Sequence, residues 1–581
     1  MGIGTAIDET TNDFDKTKTE EANVDARENV DYDDLLASAG EIGRYQIILF
    51  LSSFPFYFFG TFVYYSQLFM TKVSPNHWCW IPDLENLTVM ERRNLAIPVD
   101  DNQYGYSRCS SYDANWTEVL ATGIKPNASW RTTTCQHGWE FDKSEIPYAS
   151  ISSELGWVCE KDRYQATAQA IFFFGSMIGG FPVGWIADRF GRVPAAVVTN
   201  LVACATGVAS TFARSFIEFA ACRFLMGMAG DKCMLIMYLL VLEYVGPKYR
   251  TMISSLSFAV FYCIAASTVP WIALVCGHWK TFALATSLPM ASVIIAPLIL
   301  PESPRWLLSK GRVDDTIKKI LTIGRINKRV IPAKLVEQFK LCHASKKNEE
   351  QKSVVELIKR PILRKVLICM CLEYMCCTVM FDSIIRSTGH FKFNFFLSFS
   401  LMALSEFPSV FILAFIMDKL GRRWVICITM IISCFFSLLT IFISNGLPSV
   451  ICALVVRFFV NMSYSIGELW PPEIMPTPVR GSAISLVHIC GYGATILSPY
   501  ISYLGTYTYW LPLLIIGCIA GLGAIVALAL PETSNRKMPH DFDDAETLVK
   551  NQKFWTMPCL SRNSEKDVGH NNEALETSHT C

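Results

Sequence analysis

Long apolar runs alternate with short polar segments along most of the chain. Twelve runs come close to or exceed the roughly 20 residues that a helix needs to cross a bilayer core about 30 Å thick. The pattern therefore predicts an all-α membrane protein with twelve transmembrane helices. The runs lie at 46–70, 165–187, 193–213, 217–242, 251–276, 280–300, 366–386, 394–417, 424–444, 449–470, 481–503 and 509–530.

Basic residues concentrate on one side of these predicted spans. The connections after runs 2, 4, 8 and 10 carry Arg or Lys, and the segment 301–365 has a net charge of +10. The opposite connections are short and nearly uncharged, apart from the long loop 71–164. Because positively charged loops stay in the cytoplasm, we expect both termini there and the loop 71–164 outside the cell.

The loop 71–164 has the features of an exported segment. Four cysteines in an oxidising compartment favour two disulfides, for which three connectivities are possible. Three glycosylation sequons in one loop support the same placement. The other cysteines show no metal-ligand spacing, so no metal or other cofactor is expected. The four cysteines and three sequon asparagines are Cys79, Cys109, Cys135, Cys159, Asn86, Asn115 and Asn127.

Composition agrees with a membrane protein organised in five parts. Hydrophobic residues make up 51% of the 581 positions and the formal net charge is zero, which excludes a disordered chain and disfavours a nucleic-acid binder. No cleavable signal peptide is expected before the first run. The predicted parts are an acidic cytoplasmic segment (1–43), a first six-helix half (44–300), a basic cytoplasmic loop (301–365), a second six-helix half (366–530) and a cytoplasmic tail (531–581).

The two halves repeat at a spacing of 230 residues. The loop that begins at Asp188 recurs at Asp418, and Glu243 and Arg250 recur at Glu473 and Arg480. Parallel repeats of this kind are typical of secondary transporters, whose substrate site lies between the halves. Acids beside arginines at helix ends predict a gate that pairs and separates, although such loops can also serve topology alone. The predicted gating residues are Asp188, Arg189, Arg192, Arg223, Glu243, Asp418, Arg422, Arg457, Glu473 and Arg480. For Arg223 and Arg457, packing of the helix bundle is the alternative role.

The chain resembles the organic cation, anion and zwitterion (carnitine) transporter family of the major facilitator superfamily. The motifs that carry the resemblance are DRFGR at 188–192, DKLGR at 418–422, DDLL and GEIGRYQ near 33–46, PESPRW at 301–306 and EIMPTPVR at 473–480. The resemblance spans about residues 33–535. It implies transport of small charged organic solutes across a plasma membrane by alternating access, and within the family the chain resembles invertebrate carriers of β-alanine or carcinine.

Ionisable side chains inside the spans are the main candidates for substrate contact, because each is costly in lipid unless it is paired or wetted. Asp382 and Arg386 are four residues apart, so they either neutralise one another or bind substrate. Asp231 and Lys232 are neighbours and point about 100° apart on a helix, so at least one should face the cavity. The predicted substrate-binding residues are Asp231, Lys232, Asp382, Arg386, Glu468, Trp470 and Tyr492.

Three departures from the family pattern bear on the substrate. Where cation carriers of the family commonly have Asp, and anion or carnitine carriers Arg, this chain has Tyr492. Asp231 stands where cation carriers often have Lys, and Glu468 where they are usually neutral. Mixed charges beside aromatic rings suit an amine or a zwitterion. His488 is interpreted either as a packing residue or as a proton relay.

We therefore predict a plasma-membrane carrier, not an enzyme, for a small organic cation or zwitterion. A coupling ion, Na⁺ or H⁺, and the lipid bilayer are its other expected partners, and no nucleic acid is expected. An organic anion carrier of the same family is the first alternative, and a non-transporting receptor is the alternative from another class. An ATP-driven pump is disfavoured, because the chain lacks a phosphate-binding loop of the G-x-x-x-x-G-K-[ST] type.

Overall fold

A computed structural model describes most of the chain, namely residues 31–100, 105–127, 129–246, 249–250, 253, 256–344, 354–534, 536, 538–539 and 541–550. Much of the predicted N-terminal segment and cytoplasmic tail therefore lies outside the described residues. In the part described, the chain is mostly helical, and its strands are four short ones in the loop 71–164.

Twelve helical segments of the described residues are long and apolar enough to cross a membrane, which confirms the twelve predicted runs. Helices suit this environment because they satisfy every backbone hydrogen bond within the segment. We call them spans 1 to 12: Arg44–Thr71, Cys159–Phe190, Arg192–Ser210, Phe216–Leu242, Ala259–Cys276, Trp279–Ile299, Pro361–His390, Phe395–Leu420, Arg422–Phe442, Leu447–Ile474, Thr477–Thr506 and Leu511–Leu528.

Several spans are not regular along their whole length. A π-helical turn, Ser257–Tyr262, leads into span 5, and a 3₁₀ stretch, Leu288–Ile295, lies in span 6. Span 8 consists of Phe395–Leu404 and Glu406–Leu420, and span 11 contains Arg480–Thr495 and Ser498–Tyr503. Shorter helices outside the spans are Tyr32–Ala39, Val89–Ala96, Trp116–Thr122, Ile151–Glu154, Pro304–Ser309, Val313–Asn327, Ala333–Ala344, Val354–Lys359 and Phe542–Lys550.

The loop 71–164 folds around its own apolar core. Antiparallel strands pair His77–Cys79 with Trp139–Phe141 and Ser110–Tyr112 with Thr132–Thr134. Of the three connectivities left open by the sequence, the structure has Cys79–Cys135 and Cys109–Cys159 at bonding distance. The side chains of the three sequon asparagines are exposed, as glycosylation requires, and glycosylation itself stays a prediction.

Burial inside this loop also perturbs a histidine. His77 is 5% exposed, and its Nδ1 lies 3.1 Å from the Ser74 carbonyl oxygen. Loss of hydration lowers the pKa of His77 to about 4, the Ser74 contact opposes this, and the nearby Arg108 adds to it. The loop therefore holds a neutral histidine at neutral pH.

Contacts divide the chain into two compact units. These units do not test the predicted division into two six-helix halves, which stays a prediction. Unit 1 comprises residues 1–53, 238–254 and 300–350, and unit 2 comprises the remainder. In unit 1, the helix Tyr32–Ala39 is held by Asp33, which accepts hydrogen bonds from Arg250 and Arg305. Unit 2 contains most of the spans and all residues of the site described below.

The 230-residue repeat is visible in local geometry. Asp188 pairs with Arg192 at 2.8 Å, and Asp418 pairs with Arg422 at 3.4 Å, in each case four residues apart. A glycine with positive φ precedes each arginine, at +114° for Gly191 and +88° in the second loop. Only glycine adopts such φ values without strain, which explains why both loops have it.

Candidate functional site

An aromatic group from spans 7, 10 and 11 forms the centre of the site in unit 2. Phe381 stacks on Tyr464 with ring centroids 4.5 Å apart, and Tyr374 lies 6.1 Å from the same ring. The Tyr374 hydroxyl lies 3.0 Å from Nδ1 of His488. With Tyr492 of span 11, these residues are called the aromatic cluster. Phe381, Tyr464, His488 and Tyr492 are only half-buried, whereas a fully packed core would cover them.

Charges of both signs border the aromatic cluster. Lys232 of span 4 is 4% exposed, and its ammonium nitrogen lies 4.1 Å from the centre of the Tyr492 ring. Nζ also lies 3.5 Å from Oγ of Ser176 in span 2. Glu468 is one turn from Tyr464 on span 10 and interacts with its hydroxyl. A lysine from the first six spans and an acid from the last six therefore contact two different rings of the same cluster.

A buried ion pair contacts Phe381 of the aromatic cluster. Arg457 is fully buried, pairs with Glu406 of span 8, and donates to the Phe381 carbonyl oxygen. The centre of its guanidinium lies 3.9 Å from the Phe381 ring. Because the pair fixes the ring on which Tyr464 stacks, Arg457 acts on the site through Phe381.

Asp382 and Arg386 pair with one another, which is one of the two roles considered from the sequence. The Asp382 carboxylate is 1% exposed and accepts from Arg386 Nε at 2.6 Å and Nη2 at 3.0 Å. It also accepts from the Tyr64 hydroxyl at 3.0 Å and from Ser498 Oγ at 2.6 Å. Each carboxylate oxygen thus has two donors, which uses the usual acceptor capacity of the group. This arrangement favours a structural link between span 1, span 7 and span 11 over contact with substrate.

Arg223 and Arg457, which the sequence left open between gating and bundle packing, have partners inside the bundle, and a part in gating stays a prediction. Arg223 is buried and donates to Gln67 Oε1 of span 1 at 2.6 Å. Arg457 and Glu473 lie 16 residues apart on one helix, and at 1.5 Å per residue this places them roughly 24 Å apart. Both arginines join neighbouring spans, because a buried guanidinium requires a partner at its own depth.

The second loop of the repeat does assemble a charged network. Arg422 contacts Glu473 at 3.1 Å as well as Asp418, and Glu473 accepts from the Thr533 hydroxyl. The Glu532 carboxylate accepts from the backbone N–H groups of Arg422 at 2.9 Å and Arg423 at 3.1 Å. An anion at a helix N-terminus is favourable because the first N–H groups lack helical partners. Gating by this network stays a prediction.

The remaining predicted site residues have separate environments. Trp470 is 1% exposed and donates to the Pro531 carbonyl at 3.2 Å, so it packs between helices and is left out of the proposed site. Arg189 is exposed, and Arg480 donates to the Met475 carbonyl at 3.1 Å. Glu243 belongs to unit 1, where its carbonyl oxygen accepts from a tyrosine hydroxyl. The side chain of Asp231 lies outside the described part of the structure.

Several residues described above were missed from the sequence, including Tyr374 and Tyr464 of the aromatic cluster. Tyr464 precedes Glu468 by four positions, so helical spacing alone would have placed it on the same face. Tyr64 and Ser498, by contrast, meet Asp382 from distant spans. No local signal in the sequence identifies such partners, because their meeting depends on how the helices pack.

Comparison with known proteins agrees with this architecture. The carcinine transporter of Drosophila melanogaster is 29% identical over 545 residues, which cover 91% of this chain and 81% of that protein. The β-alanine transporter of the same fly is 27% identical, covering 89% and 90% respectively. The human organic cation/carnitine transporter 2 is 26% identical, covering 92% and 97%.

Solved structures and a family model complete the comparison. The proton:xylose symporter XylE matches with a TM-score of 0.54 at 14% identity, over 87% of this chain and 99% of that one, which shows the fold alone. The model of the sugar (and other) transporter family matches residues 122–540. The resemblance found in the sequence is thereby confirmed: the chain belongs to the sugar (and other) transporter family of the major facilitator superfamily and is a multi-pass membrane transporter, not an enzyme.

Proposed function

We propose that the protein carries small organic cations or zwitterions across the plasma membrane by alternating access. The aromatic cluster and Glu468 receive the ammonium group of the substrate, and Lys232 receives a carboxylate when one is present. The observation that carries the proposal is the contact between Lys232 and Tyr492, which brings a cation of the first six spans onto an aromatic face of the last six.

The geometry suggests how a zwitterion would be bound. In the structure the Lys232 ammonium occupies the face of Tyr492. A cation over such a ring gains roughly 0.5–2 kcal/mol, depending on its desolvation. A substrate carboxylate would draw Lys232 away from the ring, and the substrate ammonium would take its place between Tyr492 and Glu468. One molecule with both charges thus replaces an internal contact without leaving any buried charge unpaired.

Some hydrogen bonds join the first six spans to the last six, and these must break when the transporter opens. Tyr64 donates to Asp382, and the Trp271 indole nitrogen donates to Ser400 Oγ at 3.1 Å. Alternating access requires such contacts to break on one side while others form on the opposite side. The names of the three relatives, carriers of carcinine, β-alanine and organic cations with carnitine, support the substrate class. The basic loops support a cytoplasmic position of both termini.

Radiolabelled uptake into cells that express the chain at the surface tests the proposal. The substrates are carcinine, β-alanine, carnitine, tetraethylammonium as a plain cation and benzoate as a plain anion. We expect saturable uptake of at least one amine or zwitterion and none of benzoate. Saturable uptake of benzoate alone would favour the anion carrier, and binding without uptake or exchange would favour the receptor.

Site variants then locate the substrate. Glu468→Gln is expected to raise the KM for any ammonium substrate, and Lys232→Met to raise it only for substrates with a carboxylate. Tyr492→Leu should weaken binding of all cations, while Tyr492→Phe keeps the ring and most of the affinity. The matched control is Tyr507→Leu, which removes an aromatic side chain that is 68% exposed and outside the cluster. Equal KM values for all variants would contradict the proposed site.

A further inference from the structure

One carboxyl group in span 7 is buried without a cationic partner among the residues that the structure describes. Glu373 is 2% exposed. Within the described part of the structure, its Oε1 accepts a hydrogen bond from the Cys377 thiol at 2.9 Å. The two other buried carboxylates of spans 7 and 8 behave differently, because Asp382 pairs with Arg386 and Glu406 pairs with Arg457. The arginines that neutralise these carboxylates do not serve Glu373.

In the described part of the chain, the ionisable groups that interact with Glu373 are neutral. Its ionisable neighbours are thiols, Cys376 and Cys377 on its own helix and Cys427 on span 9. The two basic residues at that end of span 9 have other partners. Arg422 contacts Asp418 and Glu473, and Arg423 interacts with Cys427 and with a glutamate beyond span 12. Span 12 presents a glycine towards Cys376. Span 11 presents a histidine to the neighbouring Tyr374.

Span 10 approaches Glu373 through Gly467. A Cβ atom at this glycine would lie 3.4 Å from Oε2 of Glu373 and 3.3 Å from the Tyr374 ring, so the backbone comes close here. The residue four positions later is Pro471, which has no N–H group. The Gly467 carbonyl therefore lacks its helical i+4 donor. A protonated carboxyl brings an O–H donor to this region, whereas a carboxylate brings only acceptors.

Burial decides the charge state that suits this environment. An ionised carboxylate without a cation is very costly in a low-dielectric interior, and such a group becomes neutral by binding a proton. Intramembrane acids of this kind mark ion pathways and proton relays in transporters. Glu373 also adjoins the site, because Tyr374 belongs to the aromatic cluster and Gly467 directly precedes Glu468.

We propose that Glu373 is a proton-binding site that couples substrate movement to the movement of one H⁺. The inference rests on the proposed function. In the conformation described, the carboxyl is protonated. When the movement of span 10 at Gly467 and the prolines admits water, the O–H bond breaks, the proton passes to water, and the electron pair remains on the carboxylate. Glu373 must bind a proton again before span 10 can close on it, which ties one proton to each transport cycle.

Purified protein in liposomes tests the coupling, with carcinine or β-alanine as the probe and the membrane potential clamped to zero. Counterflow, the exchange of labelled for unlabelled substrate, reports transport without net proton movement. A gradient of one pH unit supports at most about a tenfold accumulation at one proton per substrate. We expect the wild type to accumulate substrate several-fold in one polarity of the gradient. The polarity distinguishes symport from antiport, and either result supports coupling.

Two variants of Glu373 separate coupling from folding. Glu373→Gln should retain counterflow yet accumulate no substrate under either gradient, and Glu373→Asp, which keeps an ionisable proton, should regain accumulation. Wild-type counterflow without accumulation, or accumulation by Glu373→Gln equal to the wild type, would overturn the coupling role while leaving the proposed function intact. Absence of counterflow in the wild type, for every amine and zwitterion tried, would overturn both.

Discussion

The pairing of Asp382 with Arg386 predicts that removal of one partner harms stability far more than removal of both. In Asp382→Asn the Arg386 guanidinium, 4% exposed, remains buried without a counter-charge. Breaking a buried pair from one side typically costs about 3–5 kcal/mol. That cost corresponds to a loss of roughly two to four orders of magnitude in the ratio of folded to unfolded protein. In Arg386→Gln the Asp382 carboxylate remains buried without its cation, although Tyr64 and Ser498 still donate hydrogen bonds to it.

The double variant Asp382→Asn with Arg386→Gln removes both charges and should recover much of the loss. Neutral groups of similar size often replace a buried pair at little net cost. Because the two side chains are in contact, their effects should not add, and the cycle of four proteins measures the coupling between them. We expect the wild type to have the highest apparent melting temperature, the double variant the next highest and the two single variants the lowest.

The assay is thermal unfolding in detergent followed by size-exclusion chromatography, together with the KM of the uptake that remains. Asp315→Asn is the matched control, since it breaks an exposed Arg312–Asp315 pair and should leave the melting temperature unchanged. The reasoning would be refuted if Asp382→Asn melted like the wild type while its KM for an ammonium substrate rose. That result would assign the carboxylate to the substrate rather than to Arg386.

Three further predictions follow from local geometry. Gly421→Ala should lower stability and surface expression, because the backbone there has a φ of +88° and the new Cβ would lie 2.4 Å from the Glu532 carboxylate. The control Gly481→Ala should change neither, since its new Cβ would have none of the described atoms within 4 Å. Cys79→Ser should leave Cys135, which is partly exposed, as a free thiol that a maleimide labels on intact cells, and unchanged labelling would contradict the pairing. Acidification from pH 6.5 to 4 should destabilise the loop 71–164, because the unfolded loop binds a proton at His77 that the folded one, with a pKa of about 4, resists. His77→Gln should abolish this dependence in limited proteolysis.

Much of the architecture followed from the sequence because its causes are local. Transfer of about 20 apolar residues into lipid is favourable whatever their neighbours are, so all twelve spans were found from hydropathy. The repeat that begins at Asp188 and Asp418 recurs in motif and in geometry because each loop needs the same turn. The motifs near the loops also identified the family.

Tertiary structure decided which charges meet. Hydropathy does not specify the rotation or depth of a helix relative to its neighbours, and these depend on packing against other helices. The sequence therefore left Arg457 open between gating and bundle packing, and in the fold it pairs with Glu406 beside the aromatic cluster. It left two roles open for Asp382. Only the packed fold shows that donors from spans 1 and 11 complete the hydrogen bonds of its carboxylate. Contacts within one helix are thus readable from spacing, whereas contacts between helices exist only once the bundle has packed.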